Sequence, residues 1–278
     1  MKLSHLGLTA FHECARTLNM TEASRQLGLT QSALSQRLAQ LEDEVSSTLF
    51  IRDSKGLILT ESGERLLRFT EMNAGLEDEL LRDLKGKKGE LAGNLQIAGF
   101  SSIMRSMIIP AMAPLLRKNP AIHLSFQSYE MSELPSVLSS SRADYVITDY
   151  EMNKRGIGQE ILGYEEYVVI ESAKFTSPDD IYLDHGPRDN ATESFFSAQG
   201  RIPPYRRSFM GDVYGIIEGV EEGLGRAVMS KHLVEGNRKV KIIRGFKTYK
   251  RPITLHYYER PFETELARRV REELKKSI

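Results

Sequence analysis

Residues 20–39 constrain this chain more than any other stretch, because they predict two short helices joined by a tight turn. Thr21 is the predicted N-cap of the first helix, since its hydroxyl can accept a hydrogen bond from a free backbone N–H. Gly28 is predicted to end that helix, because glycine adopts the left-handed conformation at little cost. Thr30 is the predicted N-cap of the second helix. Apolar residues then recur at spacings of three and four and predict one buried stripe: Leu34, Leu38, Leu41 and Val45.

The other face of the second helix is rich in amides and hydroxyls rather than in charges. An ordinary solvated helix face carries Glu and Lys, whereas short hydrogen-bonding side chains near a helix N-terminus suit base edges in the major groove of DNA. The helix N-terminus also favours phosphate. We therefore predict that this face binds DNA, with a solvated polar face as the alternative. The predicted contact residues on this helix are Thr30, Gln31, Ser32, Ser35, Gln36, Arg37 and Gln40.

Two short apolar runs, residues 49–51 and 57–59, flank a polar stretch and predict a hairpin, or wing. Arg52 and Lys55 lie on this wing, and we predict that both contact backbone phosphates of DNA.

An ordered set of residues runs through the two helices and the wing: Leu6, Phe11, Ala23, Leu27, Gln31, Ser32, Ala33, Ser35, Leu41, Glu42, Leu49, Phe50, Arg52, Leu59, Thr60 and Gly63. Through these positions, the first sixty-odd residues closely resemble LysR-type transcriptional regulators. Two positions depart from the family pattern: Ser24 stands where a second alanine is usual, and Ser46 where a glycine is usual. Either departure could loosen a helix contact or a turn, but neither lies on the predicted base-reading face.

The net charge of the N-terminal segment argues against DNA binding. Residues 1–60 contain six basic and six acidic residues, so this segment lacks the basic footprint usual for a DNA-binding domain. The neutral charge is the main support for an alternative function, a small-molecule binding protein whose N-terminal helices serve assembly only. The chain has a single cysteine and no apparent signal peptide, which fits a cytoplasmic protein in a reducing compartment.

A long helix is predicted from Thr60 to about Leu84, with an apolar stripe that needs a partner surface. By resemblance to the family it is the linker helix that pairs two subunits, so we expect a homodimer or homotetramer. Packing onto its own domain is the alternative. The apolar stripe of this helix consists of Leu66, Phe69, Met72, Leu76, Leu80 and Leu84.

The next segment, from Lys85 to Asn94, is glycine-rich and is predicted to be a flexible boundary.

Beyond residue 94 the pattern changes to strands alternating with helices, which predicts sheets covered by helices. The fold class is therefore α+β multidomain: a winged helix-turn-helix, a linker helix, and, by the resemblance, a two-lobed α/β effector domain like that of periplasmic binding proteins. The predicted strands are 95–100, 123–126, 145–148, 166–170, 227–229, 240–243 and 253–258, and the predicted helices are 104–116, 134–141, 191–199, 214–222 and 263–276. The predicted domains are 1–60 for DNA binding (helix-turn-helix 20–39), 61–91 for the linker and hinge, and 92–278 for effector binding, with lobe 1 at 92–162 and 260–278 and lobe 2 at 163–259.

Ligands of open α/β sheets sit beyond the carboxyl ends of the strands, and this rule selects a small set of polar residues. Free N–H groups and hydroxyls at a helix start there would hold a carboxylate or a phosphate, and we expect a carboxylate-bearing metabolite as effector. Asp149 and Tyr150 would instead favour a ligand that bears an amine or a hydroxyl. Helix caps and ordinary loop positions are the alternative for each residue. The predicted effector-binding residues are Ser101, Ser102, Gln127, Ser128, Thr148 and Asp149, with Tyr205 and Arg206 as weaker candidates.

No catalytic constellation stands out. The six histidines are scattered without metal-ligand spacing, and neither a nucleophile elbow nor a phosphate-cradling glycine loop is present. We therefore predict no enzyme, no cofactor and no metal site, with an enzyme built on the binding-protein fold as the second alternative. The sequence predicts a transcriptional regulator that binds double-stranded DNA, responds to a small-molecule effector and contacts no membrane.

Overall fold

The computed structural model describes residues 3–53, 56–84, 91–259 and 263–278 of this 278-residue chain. Within those ranges, none of the helices combines the length and the hydrophobicity that a bilayer span requires. Lys55, a predicted phosphate contact, lies outside the described residues, as does most of the predicted flexible boundary.

The N-terminal domain is three helices followed by a two-stranded hairpin, as the sequence predicts. Its core forms because the apolar stripe of the third helix packs against the first helix and the hairpin, with Phe11, Leu34, Leu41 and Leu49 almost fully buried. The wing is joined to the first helix by a hydrogen bond from the Leu57 amide to the Leu18 carbonyl, 3.1 Å long. The elements are α1 His5–Thr17, α2 Met20–Gln26, α3 Gln31–Val45, β1 Phe50–Asp53 and β2 Gly56–Leu59.

The predicted caps of the helix-turn-helix are confirmed except at one position. Gly28 has a φ of +64° after α2, and the Thr30 hydroxyl accepts from the Ala33 amide at 3.2 Å. Thr21 is not the N-cap of α2, because the helix begins one residue earlier. Asn19 caps it instead, and its Oδ1 accepts from the amides of residues 21 and 22 at 2.9 and 3.1 Å.

The two departures from the family pattern have different consequences. Ser24 is buried, and its hydroxyl donates to the Thr21 carbonyl at 2.9 Å, so the extra polar atom is satisfied. Ser46 ends α3 with a φ of +50°, in the left-handed region where glycine is favoured. The glycine-to-serine departure therefore places backbone strain of about 1 kcal/mol at the turn into the wing.

Helix α4, Glu61–Leu84, follows the wing directly. Thr60 caps it by accepting from the Gly63 amide at 3.0 Å. Gly63 allows the helix to approach the wing, because a Cβ at this position would lie 2.2 Å from the Leu49 carbonyl oxygen. Farther along, Arg68 joins α4 to the C-terminal domain: its Nη1 donates to the Ser139 carbonyl at 2.7 Å, and its guanidinium lies 4.1 Å from the centre of the Tyr258 ring.

The C-terminal domain is built on one mixed sheet with a small parallel pair beside it. Strands run in the order β10-β6-β11-β5-β3-β4, β9 pairs with β6, and β7 pairs with β8. The strands are β3 Gly93–Gly99, β4 Ile122–Ser128, β5 Tyr145–Thr148, β6 Ile157–Ser172, β7 Ile181–Asp184, β8 Arg206–Phe209, β9 Ala227–Ser230, β10 Val240–Ile243 and β11 Tyr249–Tyr258. The helices are α5 Ser101–Ile103, α6 Ile109–Lys118, α7 Leu134–Ser139, α8 Ala191–Ala198, α9 Val213–Glu221 and α10 Glu265–Ser277.

The long antiparallel strands β6 and β11 cross between two lobes, each of which has its own buried core. The β6–β11 register shifts between Ile253 and Thr254, which marks a β-bulge opposite residues 161–163, beside the predicted division of the lobes. On one side, β5, β3 and β4 continue the sheet. On the other side, β9 and β10 flank β6, and an isolated bridge between Tyr182 and Arg226 leads on to β7.

Three predictions for this domain need correction. The flexible boundary cannot extend to Asn94, because β3 begins at Gly93. The strands β7 and β8, which pair with each other beside the main sheet, were not among the predicted strands. The helix predicted from residue 104 begins at Ser101 and passes through a π-helical turn, Met104–Ile108. Pro110 explains this turn, because it has no N–H to donate to the carbonyl four residues earlier.

Candidate nucleic-acid interface and interlobe site

The outer face of α3 lies opposite its buried leucines. With 100° between successive helix positions, the line farthest from the core passes through Ser32, Gln36 and Ala39, and all three are exposed. Gln31 and Gln40 are also exposed, whereas Ser35 and Arg37 are half-buried on the two flanks. We call the set Gln31, Ser32, Ser35, Gln36, Arg37 and Gln40, together with the cap Thr30, the recognition face.

Several side chains of the recognition face are held by neighbours within the domain. Gln31 donates through Nε2 to the Thr21 hydroxyl at 2.7 Å, and the Thr30 and Ser32 hydroxyls lie 3.0 Å apart. Gln40 donates through Nε2 to Glu44 at 3.3 Å. These contacts orient the polar groups at the helix start, while the exposed Gln36 amide points away from the domain.

The wing stands beside the end of α3. Its strands pair Arg52 with Leu57 and Phe50 with Leu59, which confirms the predicted hairpin. The backbone of Arg52 therefore belongs to β1, but its side chain lies outside the described part of the structure. Two basic residues of the domain are paired with acids, since Arg25 lies 2.7 Å from Glu22 and Arg16 lies 2.7 Å from Glu13. The outer face of α3 thus presents hydrogen-bonding groups more than positive charge.

In the C-terminal domain, the predicted effector-binding residues divide into two groups. Ser101 and Ser102 begin the helix after β3, Ser128 ends β4, and Asp149 follows β5, so these residues lie at one edge of the lobe 1 strands. Two others are engaged elsewhere. Gln127 donates to Gln96 at 3.2 Å on the side of the lobe that faces the N-terminal domain. The Thr148 hydroxyl is fully buried, where it donates to the Tyr150 carbonyl at 2.6 Å and lies 2.8 Å from His256 Nε2.

Asp149 is part of a buried polar cluster where the two lobes meet. Its carboxylate pairs with Arg251 on β11 at 2.6 Å, and both side chains are largely buried. The Arg251 guanidinium also donates to the Tyr249 hydroxyl at 3.1 Å and to Asn190 Oδ1 at 2.9 Å. Glu165 on β6 is the cross-strand partner of Arg251, and its side chain accepts from the Ser230 hydroxyl at 2.8 Å.

Burial perturbs the acid–base behaviour of this cluster. Loss of hydration raises the pKa of the Glu165 carboxyl to about 7, although the hydrogen bond from Ser230 opposes the rise. Burial also raises the pKa of the Tyr167 hydroxyl, and the nearby Glu165 charge adds to this effect. For His232, whose Nδ1 lies 3.6 Å from Glu165, burial lowers the pKa, so its imidazole is neutral at physiological pH.

Besides the Asp149–Arg251 pair, further contacts connect lobe 1 to lobe 2 across this junction. His232 Nε2 lies 2.9 Å from the Ser106 hydroxyl, which itself donates to the Ser102 carbonyl at 2.7 Å. The Arg105 guanidinium lies 4.2 Å from the centre of the Tyr214 ring. At the rim, Glu130 and His185 are 3.3 Å apart. We call the region between Ser101, Asp149, Glu165 and His232 the interlobe site.

Sequence reasoning did not identify Glu165, Ser230, His232 or Arg251. They come from four separate elements, the strands β6, β9 and β11 and the 3-10 turn Lys231–Leu233, and the sheet register brings these elements together. One signal was available: Glu165 and Glu166 are adjacent acids in a strand, so one of them must point into the protein. In the structure this residue is Glu165, which is buried, whereas Glu166 is partly exposed and pairs with Lys231 at 3.2 Å.

Two family models match this chain. Residues 7–64 match the bacterial regulatory helix-turn-helix protein of the lysR family, and residues 88–278 match the LysR substrate binding domain. The chain belongs to the LysR family of transcriptional regulators. Curated relatives agree: an uncharacterized HTH-type transcriptional regulator, YusT of Bacillus subtilis, is 28% identical over 83% of this chain and 81% of its own. The RuBisCO operon transcriptional regulator of Allochromatium vinosum is 26% identical over 84% and 82%.

Solved structures of LysR-type regulators show the same fold. ArgP from Mycobacterium tuberculosis has a TM-score of 0.83 at 18% identity, covering 99% of this chain and 97% of its own. Full-length LysG from Corynebacterium glutamicum with bound effector Arg has a TM-score of 0.78 at 18% identity, covering 99% and 98%. The predicted fold class is thus confirmed: a winged helix-turn-helix, a linker helix and a two-lobed effector domain.

Family membership also decides between the functional alternatives. This LysR-type regulator binds DNA and small-molecule effectors and forms oligomers, and it is not an enzyme. The alternative in which the N-terminal helices serve assembly only is therefore wrong. Its support, the neutral charge of residues 1–60, reflects acidic side chains that serve the fold: Glu42 accepts from the Leu49 amide at 2.6 Å, and Glu44 accepts from the Ser4 amide at 2.9 Å.

Proposed function

We propose that the recognition face enters the major groove of an interrupted dyad site, with Arg52 and Lys55 of the wing on the flanking phosphates. The supporting observation is that α3 buries its leucines and exposes amides and hydroxyls, which is the chemistry that reads base edges. In this proposal residues 1–60 bind DNA, 61–91 form the linker and 92–278 bind effector. The protein works in the cytoplasm, where its DNA target is.

The linker helix supplies the contact between subunits in this proposal. Apolar side chains of α4 remain exposed in the single chain, with Phe69 at 39%, Leu80 at 58% and Leu84 at 74%. A second copy of the helix would cover them, which gives a homodimer or, by a further contact, a homotetramer. Two recognition helices related by a dyad would then read two half-sites.

For the effector, we propose a carboxylate-bearing metabolite in the interlobe site. Its carboxylate would lie against the helix start at Ser101 and Ser102, beside Ser128 and Asp149, because free N–H groups there favour an anion. Gln127 and Thr148 are left out of this proposal, since their side chains are engaged elsewhere. The effector shifts DNA binding only if it binds one arrangement of lobes and subunits better than the other.

Three substitutions test the DNA interface on matched and scrambled operator DNA. Gln31→Ala and Ser35→Ala are expected to reduce the preference for the matched site, because each removes a base-reading group. Arg52→Ala is expected to weaken binding to both DNAs equally, because it removes a phosphate contact. Equal losses on both DNAs for all three variants would contradict the assignment of the recognition face.

One substitution tests the effector site. Ser101→Trp fills the helix start with an indole and is expected to abolish the change in DNA binding caused by an activating metabolite, while DNA binding without metabolite is retained. Footprinting with a metabolite panel measures both properties. If Ser101→Trp still responds to the metabolite, the effector binds at a site that does not include Ser101.

A further inference from the structure

Glu165 is the one acid of the interlobe site whose charge has no cation of its own among the described residues. Asp149 already pairs with Arg251, and the Arg251 guanidinium is also bound to Tyr249 and Asn190. Glu165 is 2% exposed, and its Oε1 accepts from the Ser230 hydroxyl. Its Oε2 is buried and has no hydrogen-bond partner in the part of the chain that the structure describes.

An unsatisfied buried carboxyl oxygen is unfavourable, because it has lost its hydration without gaining a donor. The groups that face Glu165 do not remove this deficit. Ser230 and Tyr167 are neutral, and the His232 imidazole is neutral at physiological pH. With Asp149 and Arg251 cancelling each other, an ionised Glu165 leaves the cluster with an excess negative charge.

The position of Glu165 would allow a ligand between the lobes to supply the missing hydrogen-bond donor. His232 separates its carboxyl from lobe 1, contacting Glu165 on one side and the Ser106 hydroxyl on the other. Ser106 lies one turn beyond Ser102, and Ser102 is at the helix start where we propose that the effector carboxylate binds. If the lobes separate, the His232–Ser106 contact breaks and Glu165 comes to line the interlobe site.

We propose that Glu165 binds a cationic group of the effector, an ammonium or a guanidinium. This inference rests on the proposed function, in which the interlobe site is the effector site. The effector is then a carboxylate with a second, distal amine or guanidine group at the other end of the molecule, with its anion at Ser101 and Ser102 and its distal cation at Glu165. Charge-assisted hydrogen bonds to the buried Oε2 supply the specificity, because a neutral isostere leaves the carboxylate uncompensated.

Ligand-dependent thermal unfolding of the full chain tests this inference. The cationic probes are L-arginine, L-lysine, agmatine and putrescine. L-Citrulline and L-norleucine match L-arginine and L-lysine, because they have the same α-ammonium and carboxylate but a neutral side chain, and L-glutamate and succinate carry a second carboxylate instead. We expect a cationic probe to raise the melting temperature and to bind at least tenfold more tightly than its neutral counterpart. Glu165→Gln is expected to weaken the binding of the cationic probe at least tenfold. Glu166→Gln is the control, because Glu166 is partly exposed beside Lys231, and it is expected to bind as the unmodified protein does.

The possible outcomes distinguish a failure of the cation site from a failure of the proposed effector function. Equal binding of arginine and citrulline, a response to anionic probes only, or no response to any probe would each overturn the cation site. The arginine–citrulline comparison uses the unmodified protein, so it holds even if Glu165→Gln fails to fold. If anionic probes alone change the DNA footprint, the regulatory function stands without the cation. If a cation binds through Glu165 and the footprint does not change, the cation site stands and the effector role fails.

Discussion

Replacing Glu165 by glutamine should change how the stability of this protein depends on pH. Burial raises the pKa of the Glu165 carboxyl from 4.5 to about 7. The folded protein therefore binds this proton more tightly than the unfolded chain does, and stability is lost as pH rises from the lower value through the upper one. The difference between these two pKa values corresponds to a loss of about 3 kcal/mol in the free energy of unfolding above pH 8, of which less than about 1 kcal/mol is already lost at pH 5.

The measurement is urea unfolding of the unmodified protein and of Glu165→Gln at pH 5, 6, 7 and 8. Glutamine has the shape of the protonated acid, keeps an acceptor for the Ser230 hydroxyl and does not titrate. We expect the variant to gain about 2 to 3 kcal/mol relative to the unmodified protein between pH 5 and pH 8. Glu166→Gln serves as the control, because it removes a neighbouring carboxylate that is partly exposed and pairs with Lys231.

A constant difference between the unmodified protein and Glu165→Gln across this pH range would refute the reasoning, because it would mean that Glu165 titrates at its ordinary pKa. A difference of opposite sign would mean that Arg251 or another cation stabilises the carboxylate in the folded state. Either result would also weaken the inference that Glu165 awaits a cationic ligand.

Three further substitutions test the N-terminal half of the structure. Ser46→Gly should raise the free energy of unfolding by about 1 kcal/mol, because it relieves a left-handed serine, whereas Ser47→Gly should lower it. Gly63→Ala should destabilise the domain because its methyl group meets a backbone carbonyl, whereas Gly75→Ala in the same helix should be tolerated. Arg68→Ala should release the linker helix from lobe 1, which lowers the effector-dependent change in DNA binding while leaving effector affinity unchanged.

Denaturant unfolding checks the first two pairs, and titration of DNA with and without effector checks the third. Equal stability of Ser46→Gly and the unmodified protein would show that the turn after α3 is unstrained. Tolerance of Gly63→Ala would contradict the close approach of α4 to the wing. For Arg68 the control is Arg65→Ala, since Arg65 is 74% exposed and its ion-pair partner Glu61 lies 3.5 Å away. If Arg68→Ala and Arg65→Ala change the effector-dependent DNA binding equally, the effect comes from the lost positive charge and not from the contacts of Arg68 with Ser139 and Tyr258.

Local patterns were sufficient to predict the N-terminal domain, because its signals lie close together in sequence. Gly28, Thr30 and the leucine stripe of α3 each act within a few residues, and all are confirmed. The cap at Thr21 was wrong because a neighbouring asparagine also satisfies the capping rule and wins by contacting two amides. Choosing between adjacent caps needs the backbone conformation, which the sequence does not provide.

The interlobe site could be predicted only in part. The strand-end rule led to Ser101, Ser102, Ser128 and Asp149, because these residues directly follow strands or end them. It could not lead to Glu165, since that residue lies inside a sixteen-residue strand that crosses between the lobes. Its environment depends on β9 and β11, which are far away in sequence and are aligned only by the register of the sheet.

Footprinting on the DNA beside this protein's own gene tests the recognition face most directly. We expect an interrupted, two-fold-symmetric site to be protected by the unmodified protein, with the preference over scrambled DNA reduced in Gln31→Ala. Equal protection of matched and scrambled DNA by both proteins, or a complex in which residues 31–40 are buried between subunits, would contradict the reading of bases by α3.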